Sequence, residues 1–172
     1  MNLGIGYLPE NRKTEGLILN LEIMKNISLC SLDKITPVGW LSSREEQRLA
    51  KDYVENLKIS PPDIHRQVLY LSGGNQQKVV LAKWLSTEAK VLIFDEPTRG
   101  VDVNAKVEIY QMMNKLVKAG LAVITISSET AELLGMADRI VVMHEGKVVA
   151  ERIPCNTCEE ELLSDYFWTR EA

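Results

Sequence analysis

Short, unbroken runs of apolar residues constrain the fold of this chain more than any other feature. They cover positions 91–94, 121–126 and 140–143, and each has the length of one strand. Continuous apolar runs of this length are typical of strands covered on both faces, as in a parallel sheet. We therefore expect buried strands at these positions, and a further strand over 147–150 after a turn at Glu145 and Gly146.

A helical pattern separates the first two apolar runs. Asp102 is placed to cap a helix, and the predicted buried face of that helix carries Val103, Val107, Tyr110, Met113 and Val117. A second, shorter helix fits between the second and third runs. Strand, helix, strand, short helix and strand form a βαβ alternation, which predicts an α/β fold for this half of the chain.

The capping and periodicity patterns in the first half of the chain predict helices. Ser42 and Ser43, each followed three residues later by a glutamate, form a capping-box pattern. The helix that follows has a predicted buried face of Leu49, Tyr53 and Leu57, with Ala50 and Val54 alongside, and prolines at 61 and 62 end it. Another helix is predicted from just after Gly73 and Gly74 to about Leu85. We expect a helical subdomain over about 20–88, core strands and helices over 89–152, and a tail over 153–172.

Composition excludes several classes of protein. The 172 residues include 24 acidic and 20 basic side chains, for a net charge of −4, so the chain lacks the positive field that a nucleic-acid-binding protein needs. With 45% hydrophobic and 26% charged residues, the composition is globular rather than disordered. Since no apolar run approaches the ~18 residues that span a bilayer, and 3–8 is too short for a secretory leader, we expect neither a membrane span nor export.

Cysteines contribute no clear site. Cys155 and Cys158 form a C-x-x-C pair, but His65 and His144 stand at no ligand-like spacing from it. The pair follows Pro154 in a polar, acidic segment rather than in the strand-to-helix turn of a redox dithiol. We interpret the two cysteines as incidental thiols.

A glycine-containing motif, Leu71-Ser72-Gly73-Gly74-Asn75-Gln76-Gln77-Lys78, is the strongest candidate for a binding site. Two glycines allow a ligand to approach the backbone closely, and a helix that starts there directs free N–H groups and the positive end of its dipole outward. Ser72 adds a hydroxyl donor. The motif predicts a phosphate-binding site, and a plain serine-capped helix start remains the alternative.

A pair of carboxylates follows the first apolar run. Asp95 and Glu96 stand at the carboxyl end of a predicted parallel strand, where open α/β sheets bind ligands. One carboxylate can hold Mg²⁺, and its neighbour can orient or deprotonate an attacking water. The alternative is a strand-ending turn made by Asp-Glu-Pro.

Together these motifs resemble those of the ATP-binding cassette (ABC) ATPases, and the resemblance covers nearly the whole chain. Residues 71–76 match the signature motif of that family, 91–96 its Walker B strand and 100–102 its D-loop. Longer stretches are similar to the second cassette of double-cassette ATPases that power bacterial import of monosaccharides such as ribose, galactose and xylose; they are 6–13, 73–78, 95–102 and 126–129. The resemblance implies an α/β fold with a partial P-loop NTPase-like (RecA-like) core and an α-helical subdomain.

The resemblance also implies roles for individual residues. In the family two cassettes enclose two ATP molecules, so Ser72, Gly73 and Gly74 would bind the γ-phosphate of a nucleotide held by the opposite cassette. Asp95 would support Mg²⁺, and Glu96 would be the general base. The remaining nucleotide-site residues that the resemblance implies are Gln76, Glu10, Ser128 and, at the interface between cassettes, Asp102, whose alternative role is a helix cap.

Partners and location follow from the same resemblance. They are a second ATPase cassette and the permease subunits of a sugar importer, contacted by helical residues between about 16 and 40. The chain would then lie on the cytoplasmic face of the cell membrane without spanning it, with no nucleic acid as partner.

The chain departs from the family pattern in three places. It contains no G-x-x-x-x-G-K-[ST] loop, whose amides and lysine hold the phosphates of ATP. The family places that loop before residues 7–10, so we expect it upstream of Met1 and expect the chain alone to bind ATP poorly. Ser128 stands where the family has its switch histidine and Glu10 where many members have the Q-loop glutamine, which predicts a slow or degenerate site.

Two other interpretations stay open: a non-hydrolysing module that binds another protein, and a truncated chain with no function of its own. The absence of the loop and its neighbouring strands also predicts that one flank of the sheet is uncovered.

Overall fold

The computed structural model describes residues 3–36 and 39–168, apart from the side chains of Asn104 and Trp168. The end of the predicted tail, 169–172, lies outside the described residues. The chain divides into two compact units, 1–126 and 127–172. The first unit contains a parallel sheet in the order β1 (Ile5–Leu8), β2 (Val91–Asp95) and β3 (Ala122–Ile126). Five α-helices accompany this sheet: α1 (Ile23–Ser28), α2 (Leu32–Ile35), α3 (Ser43–Asn56), α4 (Gly73–Leu85) and α5 (Val103–Lys118).

One face of the sheet packs against α4. Leu8, Leu92 and Phe94 are fully buried on it, and a Cβ added to Gly6 would lie 2.8 Å from Cδ2 of Leu92 and 2.9 Å from Cβ of Trp84. The backbone of β1 therefore approaches α4 as closely as only a glycine permits. This contact joins the helical part of the unit to its strands.

The opposite face, which we call the bare sheet face, carries Ile5, Tyr7, Ile124 and Ile126. Paired residues of parallel strands point to the same side, and the register pairs Tyr7 with Ile93 and Ile93 with Ile124. The four side chains are between 41% and 52% exposed. The strand positions agree with the prediction, but the expectation that all strands are covered on both faces is wrong for β3 and for the run at 140–143, where Val141 and Met143 are 43% and 56% exposed. The expected uncovered flank is present.

The buried face of α5 differs from the predicted one. Val103 is 77% exposed and Val107 and Val117 are also exposed. Met113 is buried as predicted, and it is joined by Ile109 and Leu116. Both sets have helical spacing, so periodicity alone does not choose between them. The buried set carries longer side chains, and its burial removes more apolar area from water.

The buried face of α3 also departs from the prediction. Glu46, Ala50 and Val54 lie at its centre, while Leu49, Tyr53 and Leu57 are only partly buried. Burial of Glu46 is possible because its carboxylate accepts hydrogen bonds from Nζ of Lys25 and Oγ of Ser28, both at 2.7 Å. The helix begins at Ser43 as predicted, and Ser42 Oγ accepts a hydrogen bond from the N–H of Glu45 at 3.4 Å.

Hydrogen bonds of the Asn26 side chain connect α1 to the segment before it. Its fully buried side chain accepts a hydrogen bond from the N–H of Ile18 at 2.8 Å. Its Nδ2 donates to the carbonyl oxygens of Ile18, Leu21 and Glu22 at 3.0, 3.4 and 3.1 Å. One side chain therefore satisfies several backbone groups of a non-helical segment.

The second unit contains α6 (Thr130–Met136), an antiparallel hairpin of β4 (Ile140–His144) and β5 (Lys147–Arg152), and α7 (Glu159–Trp168). Glu145 and Gly146 have φ of 49° and 77°, as a two-residue hairpin turn requires. Arg152 donates two hydrogen bonds of 2.7 Å to Asp165, so β5 and α7 are joined by a bidentate ion pair. Within the described ranges, none of the helices has the length and apolar character needed to cross a membrane.

Candidate functional site

The start of α4 borders a cavity of about 320 Å³, which we call the clasp cavity. Its walls are formed by residues 72–75 and 78, by Arg12, by residues 100–102, and by Ala105 and Glu108 on α5. The glycine motif and the D-loop-like segment, 22 or more residues apart in sequence, therefore meet at one place. Free N–H groups at a helix start make such a place suited to anions.

Ser72 is the N-cap of α4, and its hydroxyl is oriented by Asn75. Ser72 Oγ accepts hydrogen bonds from the backbone N–H of Asn75 at 3.5 Å and from Asn75 Nδ2 at 3.0 Å. The N–H of Ser60 in turn donates to Asn75 Oδ1 at 2.8 Å, which fixes the amide. Because a serine hydroxyl has two lone pairs and both are engaged, it can bind a ligand only by donating its proton. The helix cap and the predicted phosphate donor are therefore compatible roles.

Arg12 is the cation that lies against the glycine motif. It begins a single π-helical turn, Arg12–Gly16, whose last carbonyl accepts a 2.6 Å hydrogen bond from Nζ of Lys83 on α4. A Cβ added to Gly73 would lie 2.6 Å from Nη2 of Arg12, whereas one added to Gly74 would meet nothing nearer than 3.9 Å. Partial burial lowers the pKa of Arg12 below its ordinary value.

The other charged side chains of the clasp cavity have partners. Nζ of Lys78 lies 3.1 Å from Glu108 Oε2 and donates to the carbonyl oxygen of Lys58 at 3.3 Å. Asp102 caps α5, since its Oδ1 accepts a hydrogen bond from the N–H of Ala105 at 3.0 Å. The cap alternative for Asp102 is thus present in the structure, and the same residue also lines the cavity.

Asp95 and Glu96 lie at the carboxyl end of β2 and do not line the clasp cavity. Asp95 Oδ2 accepts a 2.6 Å hydrogen bond from the hydroxyl of Tyr7 on the neighbouring strand. That hydrogen bond raises the pKa of Tyr7 to about 12, because ionisation would place two negative charges side by side.

Glu96 has an unusual backbone conformation for a residue with a side chain. Its φ is +44°, in the left-handed region, and its N–H donates to the carbonyl oxygen of Ile126 at 2.9 Å. Such conformations store strain of about 1–3 kcal/mol and are concentrated at functional sites. The strained backbone of Glu96 therefore makes the turn after β2 a candidate functional site.

A second cavity, of about 260 Å³, is lined by residues 10–13 and Arg99. The carboxylate of Glu10 forms an ion pair with Arg99 there. Arg12 lines both cavities. Glu10, which stands at the Q-loop position, is thus ion-paired with Arg99, a residue shortly after Glu96 in the sequence.

The structure brings together four of the predicted site residues: Ser72, Gly73, Gly74 and Asp102. Gln76 does not line the clasp cavity; its side chain is buried, and its Nε2 donates to the carbonyl oxygen of Val68 at 3.2 Å. Ser128 belongs to the second unit, between β3 and α6.

Arg12, Lys78 and Tyr7 are among the residues of these sites that received no role from the sequence. Arg12 and Tyr7 belong to the stretch 6–13, whose sequence is similar to that of the double-cassette ATPases but was assigned to no named motif. The signal for Arg12 in the sequence was a polar cluster directly after the short apolar stretch at 3–8.

The residues present fit the groups that the resemblance implies. The clasp cavity offers a capped helix start, an outward hydroxyl proton and a guanidinium, which suit phosphate oxygens. Mg²⁺ is usually held by one or two carboxylates together with substrate phosphates and water. Asp95 provides such a carboxylate, and within 3–36 and 39–168 no cluster of three or more histidine, cysteine or acidic residues forms a complete metal site.

These features define an α/β protein with a cavity at a glycine-containing helix start and a separate carboxylate pair at a strand end. The family model described as "ABC transporter" matches residues 1–99, and the chain belongs to the ABC transporter family. It is 51% identical over 158 residues to the xylose import ATP-binding protein XylG of Thermoanaerobacter pseudethanolicus, covering 92% of this chain and 31% of that protein. It is 47% identical over 161 residues to the ribose import ATP-binding protein RbsA of Bacillus licheniformis, covering 94% of this chain and 33% of that protein.

Solved structures show the same fold. A dimeric ATP-binding cassette in a post-hydrolysis state, bound to ADP and Pi, superposes with a TM-score of 0.71 at 23% identity, covering 87% of this chain and 62% of that chain. The ADP conformation of another ATP-binding cassette of an ABC transporter gives a TM-score of 0.69 at 23% identity, covering 95% and 64%. The chain spans about a third of the length of the curated relatives it matches.

Proposed function

We propose that this chain is part of the ATP-hydrolysing subunit of a bacterial sugar importer and that it contributes to two different nucleotide sites. The observation that carries the proposal is the separation of two groups of residues. Ser72, Gly73 and Asp102 line the clasp cavity, whereas Asp95 and Glu96 lie at the end of β2 outside it. A chain that serves one nucleotide with its signature motif and another with its strand-end carboxylates needs this arrangement.

In the proposed function the clasp cavity holds the terminal phosphate of ATP presented by a second cassette. Bound ATP supplies the phosphoanhydride bond that is hydrolysed. Ser72 donates its hydroxyl proton, and the first amides of α4 at Gly73 and Gly74 contribute N–H donors and the positive end of the helix dipole. Asp102 lines the same cavity, and we propose that it faces the second cassette.

The strand-end pair acts at the other nucleotide. Asp95 would hold Mg²⁺, with Tyr7 orienting its carboxylate through the 2.6 Å hydrogen bond. Glu96 would accept the proton of the attacking water at a carboxylate oxygen. Since Ser128 and Glu10 replace the histidine and glutamine of many family members, we propose that this second site turns over slowly and that it limits the ATP turnover of the whole subunit. We propose Gln76 as a nucleotide-site residue only because it belongs to the signature motif.

The sugar, the partners and the location are proposed from the relatives. Two of them are named as xylose and ribose import proteins, so we propose a monosaccharide as the cargo and permease subunits as partners. The chain would act on the cytoplasmic face of the cell membrane. We propose the division into 1–19, about 20–88 as a helical subdomain, 89–152 as core and 153–172 as a tail for the intact protein.

A chimaera tests this function. The 158-residue segment of the Thermoanaerobacter relative that matches this chain is replaced by the present sequence, and ATP turnover is measured. Glu96→Gln removes the proposed base and keeps the shape of the side chain, so we expect turnover to fall by about 10²–10⁴-fold. Glu55→Gln, the same chemical change at an exposed position on α3, is the matched control and should leave turnover unchanged.

The outcomes separate the proposal from its alternatives. Turnover by the chimaera that depends on Glu96 supports an energy-coupling ATPase. A folded chimaera without turnover, or one whose turnover survives Glu96→Gln, contradicts the proposal and favours a non-hydrolysing interaction module.

A further inference from the structure

The guanidinium of Arg12 lies directly against the glycine motif at the start of α4. A Cβ on Gly73 would approach Nη2 of Arg12 to 2.6 Å, so a side chain at position 73 would displace the guanidinium. The π-helical turn that begins at Arg12 is held to α4 by the 2.6 Å hydrogen bond between Lys83 and Gly16. The position of Arg12 is therefore set by the helix whose start it faces.

Arg12 is also a cation without an acceptor. Its Nε is buried and has no hydrogen-bond partner, and within the described part of the chain no carboxylate pairs with its guanidinium. Its neighbours differ: Lys78 pairs with Glu108, and Arg99 pairs with Glu10. Arg12 lines the clasp cavity, and its Nη2 lies beside the start of α4, so its guanidinium is available to a bound ligand with acceptor oxygens.

We propose that Arg12 is a further phosphate-binding residue of the clasp cavity, one that acts together with Ser72, Gly73 and Gly74 on the terminal phosphate of ATP. The inference rests on the proposed function, because it assigns a ligand to the same cavity. It extends that function by adding a residue outside the signature motif, 60 positions before Ser72 in the sequence.

Phosphate is favoured over a carboxylate ligand by the arrangement of donors. The hydroxyl proton of Ser72, the first amides of α4 and the fork of the Arg12 guanidinium border the same cavity from different elements. A terminal phosphate has three oxygens that can accept from such a set, and guanidinium matches phosphate geometry well. The two carboxylates of the cavity, Asp102 and Glu108, are already engaged by Ala105 and Lys78.

The test measures ligand binding at the Arg12 side chain rather than ATP turnover. Inorganic tripolyphosphate is titrated into the ¹⁵N-labelled 172-residue chain, and the Nε–H signal of Arg12 and the amide signals of Gly73 and Gly74 are monitored by NMR. We expect all three signals to shift with one dissociation constant. Arg12→Gln should weaken binding about tenfold, and Arg12→Lys should restore part of the loss, since it keeps the charge without the fork.

Two controls make the result specific. Lys13→Gln removes the adjacent, exposed positive charge and should leave the dissociation constant within about twofold, because surface charge alone is screened by salt. Citrate replaces the phosphate chain by a tricarboxylate of similar charge, and we expect it to shift the Arg12 signal much less. If citrate binds as well as tripolyphosphate, the assignment to phosphate is wrong.

The remaining outcomes distinguish this inference from the proposed function. If the signals of Gly73 and Gly74 shift while that of Arg12 does not, the inference fails and the clasp cavity keeps its proposed role. If none of the three signals shifts, both proposals for the cavity are contradicted. In the chimaera, Arg12→Lys should raise the KM for ATP more than it lowers kcat, and Lys13→Gln should change neither.

Discussion

Asn26 offers the sharpest test of how this chain holds its first helical segment. Truncation to alanine removes four hydrogen bonds, but most of the backbone groups concerned keep another partner. The carbonyl oxygens of Ile18, Leu21 and Glu22 still accept from the N–H groups of Leu21, Val68 and residue 26, at 3.0, 3.1 and 3.1 Å. The N–H of Ile18 alone loses its acceptor. A buried, unsatisfied group costs about 1–3 kcal/mol, and the vacated volume adds to that, so we expect Asn26→Ala to lower the free energy of unfolding by about 2–4 kcal/mol.

Asn26→Asp separates the donor role from the acceptor role. The aspartate can still accept from the N–H of Ile18, but its second oxygen replaces an NH₂ group that donated to three carbonyl oxygens. At pH 7 a buried carboxylate among acceptors should therefore destabilise the chain more than alanine does. Burial raises the pKa of the introduced carboxyl above its unfolded value near 4, so the folded state holds its proton more tightly and the penalty shrinks as the pH falls towards 4.

Urea denaturation followed by tryptophan fluorescence at pH 7 and pH 5 measures both effects. The expected order of stability at pH 7 is wild type, then Asn26→Ala, then Asn26→Asp, with the gap between the variants narrowing at pH 5. If the aspartate variant is as stable as the wild type, or if its penalty does not change with pH, the side chain is not buried among carbonyl groups as described.

Three further predictions concern packing and charge. Gly6→Ala places a Cβ 2.8 Å from Cδ2 of Leu92, so the free energy of unfolding in urea should fall by about 1–3 kcal/mol; unchanged stability would contradict the close contact of β1. Gly74→Ala meets no atom nearer than 3.9 Å within a helix and should raise that free energy by about 0.5–1 kcal/mol, a gain that a steric conflict would reverse. The Arg152 guanidinium holds the pKa of Asp165 below its usual range, so its contribution to stability is present above about pH 4 and is lost as the pH falls through the folded pKa. The thermal midpoint of Asp165→Asn should lie below that of the wild type at pH 7 and converge with it in acid; a constant difference would show that the ion pair is not the cause.

Local features of this fold could be predicted from the sequence because they depend on neighbouring residues. Ser72 and Asp102 cap the helices that follow them, and Glu145 with Gly146 forms the hairpin turn, as expected from residue type alone. The burial of α3 and α5 could not be predicted in the same way. In α5 two apolar stripes have the correct spacing. In α3 the buried stripe contains Glu46, whose burial depends on its partner Lys25.

The same distinction applies to the candidate sites: residues within a local motif could be found from the sequence, and residues brought in by tertiary packing could not. The glycine motif and the strand-end carboxylates each occupy a few consecutive positions, so their residue types and order indicated them. Arg12 meets Gly73 across 61 positions, and Tyr7 meets Asp95 across 88. Neither contact has a local pattern, because it arises only when the π-helical turn packs on α4 and when β1 pairs with β2.

The bare sheet face has a calorimetric consequence. The heat capacity of a protein rises on unfolding because apolar groups become hydrated, and the usual increment is about 12–15 cal/mol/K per residue. Ile5, Tyr7, Ile124 and Ile126 are 41–52% exposed in the folded state, so each adds only about half of what a fully covered side chain would add to that increment. A polypeptide in which this face is covered should therefore unfold with a larger heat-capacity change than the 172-residue chain.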